Sequence, residues 1–346
     1  MSRLLLTVAR RLFVQPSVTT CLEYRCNKKH AVSCREAILD DYQDVMAIAE
    51  VYQGRDYLPS KYEAWIKSDN IKCYVALVND DIAAFSAGHI IDNGETAVRL
   101  AGRVKDTYQR QGVVRTLGRF IRKQFSSSGL IKFDTFATAS LTYDPSKDIS
   151  SKILYKETFV KNILAYRFKI KDLKISSNDM KNMPSSFQMT DMEAIFSSDA
   201  TCKHLFPNKR FLTDWVPFRL LSSNIDDIIK PDTLMLATSG HDRPNNDVIS
   251  TFLTTSSHFP CKIGLAYNVN VFGDDVTELP QHILMHLENM RQISSDPEVV
   301  ISLFVVTPEN IVRADIDRYL CDTNISRYRD AEQFTKKRVF ERPFSE

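Results

Sequence analysis

Apolar and polar positions recur with two different periods along this chain, and the switches between them mark its elements. From Tyr42, apolar residues return at Val45, Met46, Ala49 and Tyr52, the spacing of one helical face, with Asp40 or Asp41 placed to cap it. Ser60 and Glu63 form a capping-box signature opening a second helix that carries Trp65 and Ile66. The period then falls to two. Residues 72–78 and 82–91 predict strands joined through Asn79-Asp80-Asp81, and 95–105 a third after the turn Asp92-Asn93-Gly94. A polar loop over 106–112 leads to a helix reaching about Phe125, with Val113, Leu117, Phe120 and Ile121 on one face. Residues 131–138 predict a strand, 150–157 a short helix and 159–171 a further strand.

A polar stretch over 174–186 reads as a linker. Beyond it the pattern is legible again at 262–272, a strand, followed by a helix over 280–293 and a buried strand over 299–306. Thr307-Pro308 signals a helix start, with the helix running to about Leu320, and a last strand is expected near 333–341. In the first domain strands alternate with helices only in its second half, an order that the second domain repeats as β-α-β-α-β, so the class is α/β (α+β) with a mixed central sheet. The expected division is a basic segment 1–33, a first domain 34–173, the linker, and a second domain 187–346.

Composition narrows the choices. The chain has 346 residues, 43% apolar and 25% charged, the balance of a globular protein, and no apolar run is long enough to span a membrane. The net charge of +2 hides an asymmetry: residues 1–30 hold six of the 45 basic side chains and one of the 43 acidic ones. The remainder is slightly acidic and lacks aromatic-basic interleaving, which argues against a nucleic-acid partner. The first twenty residues are Arg-bearing, acid-free and apolar in patches, as in a mitochondrial transit peptide, or they form a basic tail. Seven scattered cysteines without a CxxC pair read as free thiols of an intracellular protein, cytoplasmic or mitochondrial.

The stretch from Arg103 to Leu117 carries the chemistry. A strand runs into a polar loop that becomes a helix near Gly112, where unpaired backbone N–H groups favour a phosphate and Arg110 and Arg115 add charge. Gln109 and Gly112 stand at two defined positions of the acetyl-CoA loop of GNAT acetyltransferases, which this region resembles; Val114 departs from the small residue at the third. Tyr52-x-Gly54-x-Asp56-Tyr57-Leu58-Pro59-x-x-Tyr62-x-x-Trp65, Asp92-x-Gly94-Glu95-Thr96-Ala97 and Arg103-Val104 are similar to the histidine N-acetyltransferase family and the related probable N-acetyltransferases. The resemblance implies a GNAT fold over 34–173, a second degenerate GNAT-like domain, and acetyl transfer from acetyl-CoA to the amine of a free amino acid or similar small amine.

It also implies roles. Arg103, Val104 and Lys105 would line the pantetheine, and Gln109, Arg110, Gln111, Gly112, Val113, Val114 and Arg115 would cradle the pyrophosphate. The basic helix face of Arg115, Arg119, Arg122 and Lys123 could reach a further phosphate at its near end. Tyr155 is either the proton donor to the departing thiolate or a packing tyrosine, with Thr158 replacing a family glycine. Glu95 is a base or a solvated strand end. Asp56 and Tyr57 contact the acceptor, or Asp56 caps a turn; Arg103 holds an acceptor carboxylate or points outward. His89 reads as structural or as a base. His282 and His286 have metal-binding spacing without a third ligand, so no metal is assigned and packing or surface is expected. Three acids in 272–278 would repel a pyrophosphate, so a second cofactor site is not expected. The alternatives are an inactive GNAT-fold binding protein and a peptide N-terminal acetyltransferase.

Overall fold

The computed structural model describes residues 22–26, 30–127, 129–139, 155–175, 185–186, 189–241, 248–321, 323–331 and 333–344. The first half contains β1 (Leu22–Cys26), β2 (His30–Glu36), α1 (Tyr42–Met46), α2 (Leu58–Ile66), β3 (Ile71–Val78), β4 (Asp81–Ile91), β5 (Thr96–Val104), α3 (Val113–Ser126), β6 (Phe133–Thr138) and β7 (Lys156–Lys169). The second contains β8 (Ser185–Ser186), α4 (Met189–Ser197), α5 (Asp199–Leu205), β9 (Arg210–Thr213), β10 (Val216–Arg219), α6 (Ile225–Ile228), β11 (Met235–His241), β12 (Val248–Cys261) and β13 (Gly264–Phe272). α7 (Leu279–Ile293), β14 (Val300–Thr307), α8 (Arg313–Leu320), β15 (Ser326–Arg327) and β16 (Lys336–Pro343) follow.

One sheet threads both halves in the order β1-β2-β3-β4-β5-β6-β16-β7-β14-β13-β12-β11-β8, with β15 on an edge of β7 and β9–β10 as a separate hairpin. It is mixed: β5–β6 and β13–β14 run parallel among antiparallel neighbours. β16 lies between β6 and β7, so the far end of the described chain completes the sheet of the first half. α3 covers one face of β2–β5 through Val113, Leu117, Phe120, Ile121 and Phe125, all buried. The opposite face meets α1 and α2 through Val45, Leu58 and Tyr62. In the second half α7 and α8 pack on β13, β14 and β7.

Several boundaries differ from those the sequence suggests. β2 begins at His30 and Val32 is fully buried, so the sheet takes in residues that the sequence reading assigned to a basic tail. The first helix stops at Met46, and Tyr52 instead opens a separate turn with φ 53°. The second helix starts at Leu58, with Pro59 in its first turn, and Ser60 lies inside it. Ser60 Oγ donates to the Tyr57 carbonyl, while the Leu58 N–H goes to Asp56 Oδ1, 3.0 Å. Lys156 and Glu157 open β7 rather than closing a helix, and 150–154 lie outside the described residues. Thr307 still belongs to β14, and its helix starts only at Arg313.

Candidate active site

The fourth and fifth strands lose register at one point. Phe85 pairs with Arg103 and Ala87 with Leu100, so Ala101 and Gly102 face Ser86 alone, a bulge in which Ala101 has φ 53°. An extra residue reverses the side-chain alternation beyond it. Before the bulge Ala97 faces α3 and Val98 and Leu100 face α1 and α2; after it Val104 faces α3 and Arg103 turns to the α2 side. There Arg103 donates to both oxygens of Asp56, 2.7 and 3.1 Å, in a bidentate pair. The two residues expected to hold acceptor groups therefore hold each other. Tyr57 Oη accepts the N–H of Ala101 itself, 3.1 Å.

The same stretch opens a cleft. β5 and β6 pair only from Thr96 with Phe133 to Arg99 with Phe136; β5 then continues to Val104 without β6, whose other edge pairs with β16 along its whole length. Past β5 the chain makes a tight turn at Asp106–Tyr108 and reaches α3 through Gly112, whose φ of 84° suits a residue without a Cβ. Loop side chains tie back onto the loop and β4: Lys105 to Asp81, Gln109 to Asp106, Gln111 to the Thr107 carbonyl. Thr116 N–H is bonded to Gly112 O, so the N–H groups ahead of it lie in the first turn, which has no intrahelical acceptors. Val114 is 55% exposed and does not fill the loop. A parallel strand pair that separates beside a helix N-terminus and a left-handed glycine fits a pantetheine arm and its pyrophosphate.

On the α2 side of the bulge lies a cavity of about 60 Å³. Tyr52, Arg55 and Tyr57 come from the loop ahead of α2, and Trp215 from the β9–β10 turn. Phe259, Asn268, Phe304 and Val306 come from the second half, and Ala139, Ile163, Phe334 and Lys337 from β6, β7 and β16 or beside them. Tyr52 stacks between Tyr57 and Trp215, with centroids 6.5 and 6.0 Å apart. Gly54, at φ +81°, lets this loop close on the β12–β13 turn, since a Cβ there would meet Ile263 Cγ2 at 2.9 Å. Both lysines of one register pair, Lys161 and Lys337, are buried. Lys337 Nζ sits 4.3 Å from the Trp215 ring, and burial lowers its pKa to about 8. Burial likewise pushes Lys161 well down, and its Nζ donates to the Val271 carbonyl, 2.7 Å.

The other expected residues lie elsewhere. Tyr155 is a buried, non-helical residue whose Oη donates to Asp134, 2.7 Å, and burial raises its pKa. Asp134 also takes Arg99 and Arg342, with Arg122 at 3.9 Å, so one member of the basic α3 face turns to this acid. Asp134 is in register with Ala97, four residues before Ala101 and about 13 Å along the strand. Glu95 pairs with Lys132, 2.6 Å, about 20 Å from the bulge. His89 is buried, edge-on to Phe218 with Asp227 at 4.0 Å, and its pKa is lowered by burial to about 4. His282 and His286 are buried among Thr238, Thr254 and Tyr267. Among the described residues no group of three could hold a metal ion. No helix there is long and apolar enough to cross a membrane.

The quoted motifs acquire physical reasons. Tyr62 Oη donates to the Ile38 carbonyl, 2.7 Å, and Trp65 packs on Tyr57. Asp92 accepts from Arg219 N–H and Asn224 Nδ2, which joins the start of β5 to the second half. Arg55, Lys337 and the aromatic residues supplied by the second half carry no local sequence signal for a site.

Comparisons with known proteins agree with this architecture. The family described as histidine N-acetyltransferase, C-terminal, matches residues 180–306. A histidine N-acetyltransferase of Scomber australasicus is 25% identical over 270 residues, 72% of this chain and 77% of the relative. Human probable N-acetyltransferase 16 is 24% identical over 281 residues, 77% and 74% of the two chains. A tandem GNAT protein from the clavulanic acid biosynthesis pathway superposes with a TM-score of 0.52 over 91% of this chain and 99% of its own, at 9% identity, a likeness of fold alone.

Proposed function

We propose that this GNAT-type N-acetyltransferase takes its acetyl group from acetyl-CoA and moves it to the amine of a free amino acid, histidine or a similar one. The observation that carries the reading is the bulge in β5. Beside it lie a cleft between separating strands and a helix N-terminus on one side, and an aromatic-lined cavity on the other. The thioester supplies the activated acetyl group. Gln109 to Arg115 would hold the pyrophosphate, and the unpaired edge of β5 from Leu100 to Val104 would hold the pantetheine.

The chain's own groups then act on the acceptor. Direct transfer needs an uncharged amine, and the cavity lining contains Arg55 and Lys337 but no carboxylate, so it disfavours an ammonium. Tyr57 Oη accepts from Ala101 and keeps its own proton to donate at the bulge, where negative charge develops on oxygen or sulfur. Asp56 and Arg103 lock the loop carrying Tyr57 to the strand carrying Ala101. Buried Tyr155 and remote Glu95 serve the frame in this reading.

Calorimetric titration of acetyl-CoA, with Gly112→Asp as comparison, tests the donor side. Saturable binding that the variant loses supports the loop assignment; equal binding by both proteins overturns it. Thiol release with a panel of free amino acids and short peptides tests the acceptor side. Release with peptides but no free amino acid would select the peptide alternative.

A further inference from the structure

Two buried cations face the cavity, and the acids that act on them, Asp330 on Arg55 and Asp214 on Lys337, form no ion pair with them. Arg55, from the loop ahead of α2, and Lys337, from β16, are each 4% exposed. Arg55 Nε donates to the Tyr52 carbonyl, 2.6 Å, and Nη2 to Gln53, 3.1 Å, while Nη1 is buried with no hydrogen-bond partner. The guanidinium is flanked by the rings of Phe304, Tyr328 and Phe334, at 4.9 to 5.7 Å. Among the described residues no carboxylate lies within 4.0 Å of either cation. Asp214, the acid that acts on Lys337, takes the hydroxyl of Ser257. Lys161, beside Lys337 in register, adds a third buried basic group.

A desolvated cation lacking a counter-ion is unfavourable, and a bound anion relieves it. We propose that Arg55 and Lys337 bind the carboxylate of the acceptor, which makes the acceptor an α-amino acid rather than a simple amine. This rests on the transfer reading and specifies which end of the molecule the cavity grips. The free guanidinium N–H and the ammonium offer two donors to two oxygens. Aromatic walls lower the local dielectric and strengthen both contacts. Holding the carboxylate there leaves the adjacent amine to face Tyr57 and the bulge. A peptide N-terminus has an amide where this carboxylate would lie.

Wild-type kcat/KM, read by thiol release, is compared for L-histidine against histamine and for L-phenylalanine against phenethylamine. A preference for the acid of about 100-fold or more is expected. Lys337→Met and Arg55→Gln should each cut that ratio about tenfold or more, chiefly through KM of the acid, and Lys337→Arg should recover part of it. A wild-type ratio near unity overturns the inference, as does a ratio untouched in both variants. If a variant fails to fold, judged by circular dichroism and acetyl-CoA binding, the wild-type ratio and Lys337→Arg decide. A wild type that acetylates no member of either pair overturns the transfer reading instead. Equilibrium binding of L-histidine against histamine to the CoA-loaded protein then still decides the carboxylate contact: tighter binding of the acid upholds it, equal binding overturns it.

Discussion

Replacing Asp56 by alanine should strand a guanidinium inside the protein. The Arg103 side chain is 3% exposed and that of Asp56 16%, and two hydrogen bonds join them. Removing one partner of a buried pair costs about 3–5 kcal/mol. Asp56 also holds the Leu58 N–H ahead of α2, and losing a bond of that kind costs about 1 kcal/mol. Water reaches the Asp56 side, so the total should fall near the low end, about 3–4 kcal/mol. Arg103→Met keeps the apolar stem and leaves a carboxylate with some access to water, at about 1–2 kcal/mol. The double variant should be more stable than Asp56→Ala alone, with a coupling of about 2–3 kcal/mol. Urea unfolding followed by tryptophan fluorescence measures this; with a slope of about 3 kcal/mol per molar, the Asp56→Ala midpoint falls by about 1 M. A cost below about 1 kcal/mol with additive single changes would refute the structural pair. If Asp56→Ala also kept acetyl-CoA binding but raised the acceptor KM, Asp56 would return to the role of acceptor contact.

Lys337→Met should stabilise the unliganded protein at pH 7 by about 1–3 kcal/mol, because it removes a buried charge. The folded pKa, about 8, lies below the ordinary value of 10.5, so the unfolded chain binds more protons between them and wild-type stability rises with pH there. The advantage of Lys337→Met should vanish by about pH 10.5; a lower thermal midpoint at pH 7 would contradict the argument. Burial lowers His282 to about 4 and His286 to about 3, against 6.5 unfolded. Their contribution is present above 6.5 and lost as pH falls towards 4, about 2 kcal/mol for each histidine between pH 7.5 and 5. A flat denaturation profile over that range would show that they are not held neutral. Tyr155→Phe should cost about 1 kcal/mol of stability, since Asp134 keeps its arginines, and leave kcat nearly unchanged. A fall in kcat of about 100-fold or more, the size expected for a lost general acid, would restore it as proton donor.

The strand, loop and helix from Thr96 to Ser126 were legible because their signals are local: alternation, a polar run and a glycine before an amphipathic face. β7 was misplaced at its start because its first three residues are exposed and carry no alternation until Phe159. β12 was missed for the opposite reason. Phe252 to Ser256 are all buried, and Thr254 hides its polarity by bonding to His282 and His286. For Asp56 the sequence left acceptor contact and turn cap open, and for Arg103 acceptor contact and an outward side chain; their pairing was not legible, since the bulge that turns one towards the other has no separate sequence mark. Lysines at 161 and 337 read as surface by residue type, and it is the insertion of β16, with the β13 and β9–β10 residues that meet their ammonium groups, that buries them.

That insertion bears on how the protein is made. Thr138 and Arg338, partners in the sheet, are about 200 residues apart, a separation that slows pairing. Until β16 has left the ribosome, β6 and β7 present edges that other strands can capture, a hazard met by chaperones during translation. Phe334 and Lys337 arrive with the same segment, so a nascent chain stopped before it could not form the cavity. Catalytic competence would thus report that synthesis has passed β16, and prematurely terminated products would be inert, prone to aggregation and open to proteolysis.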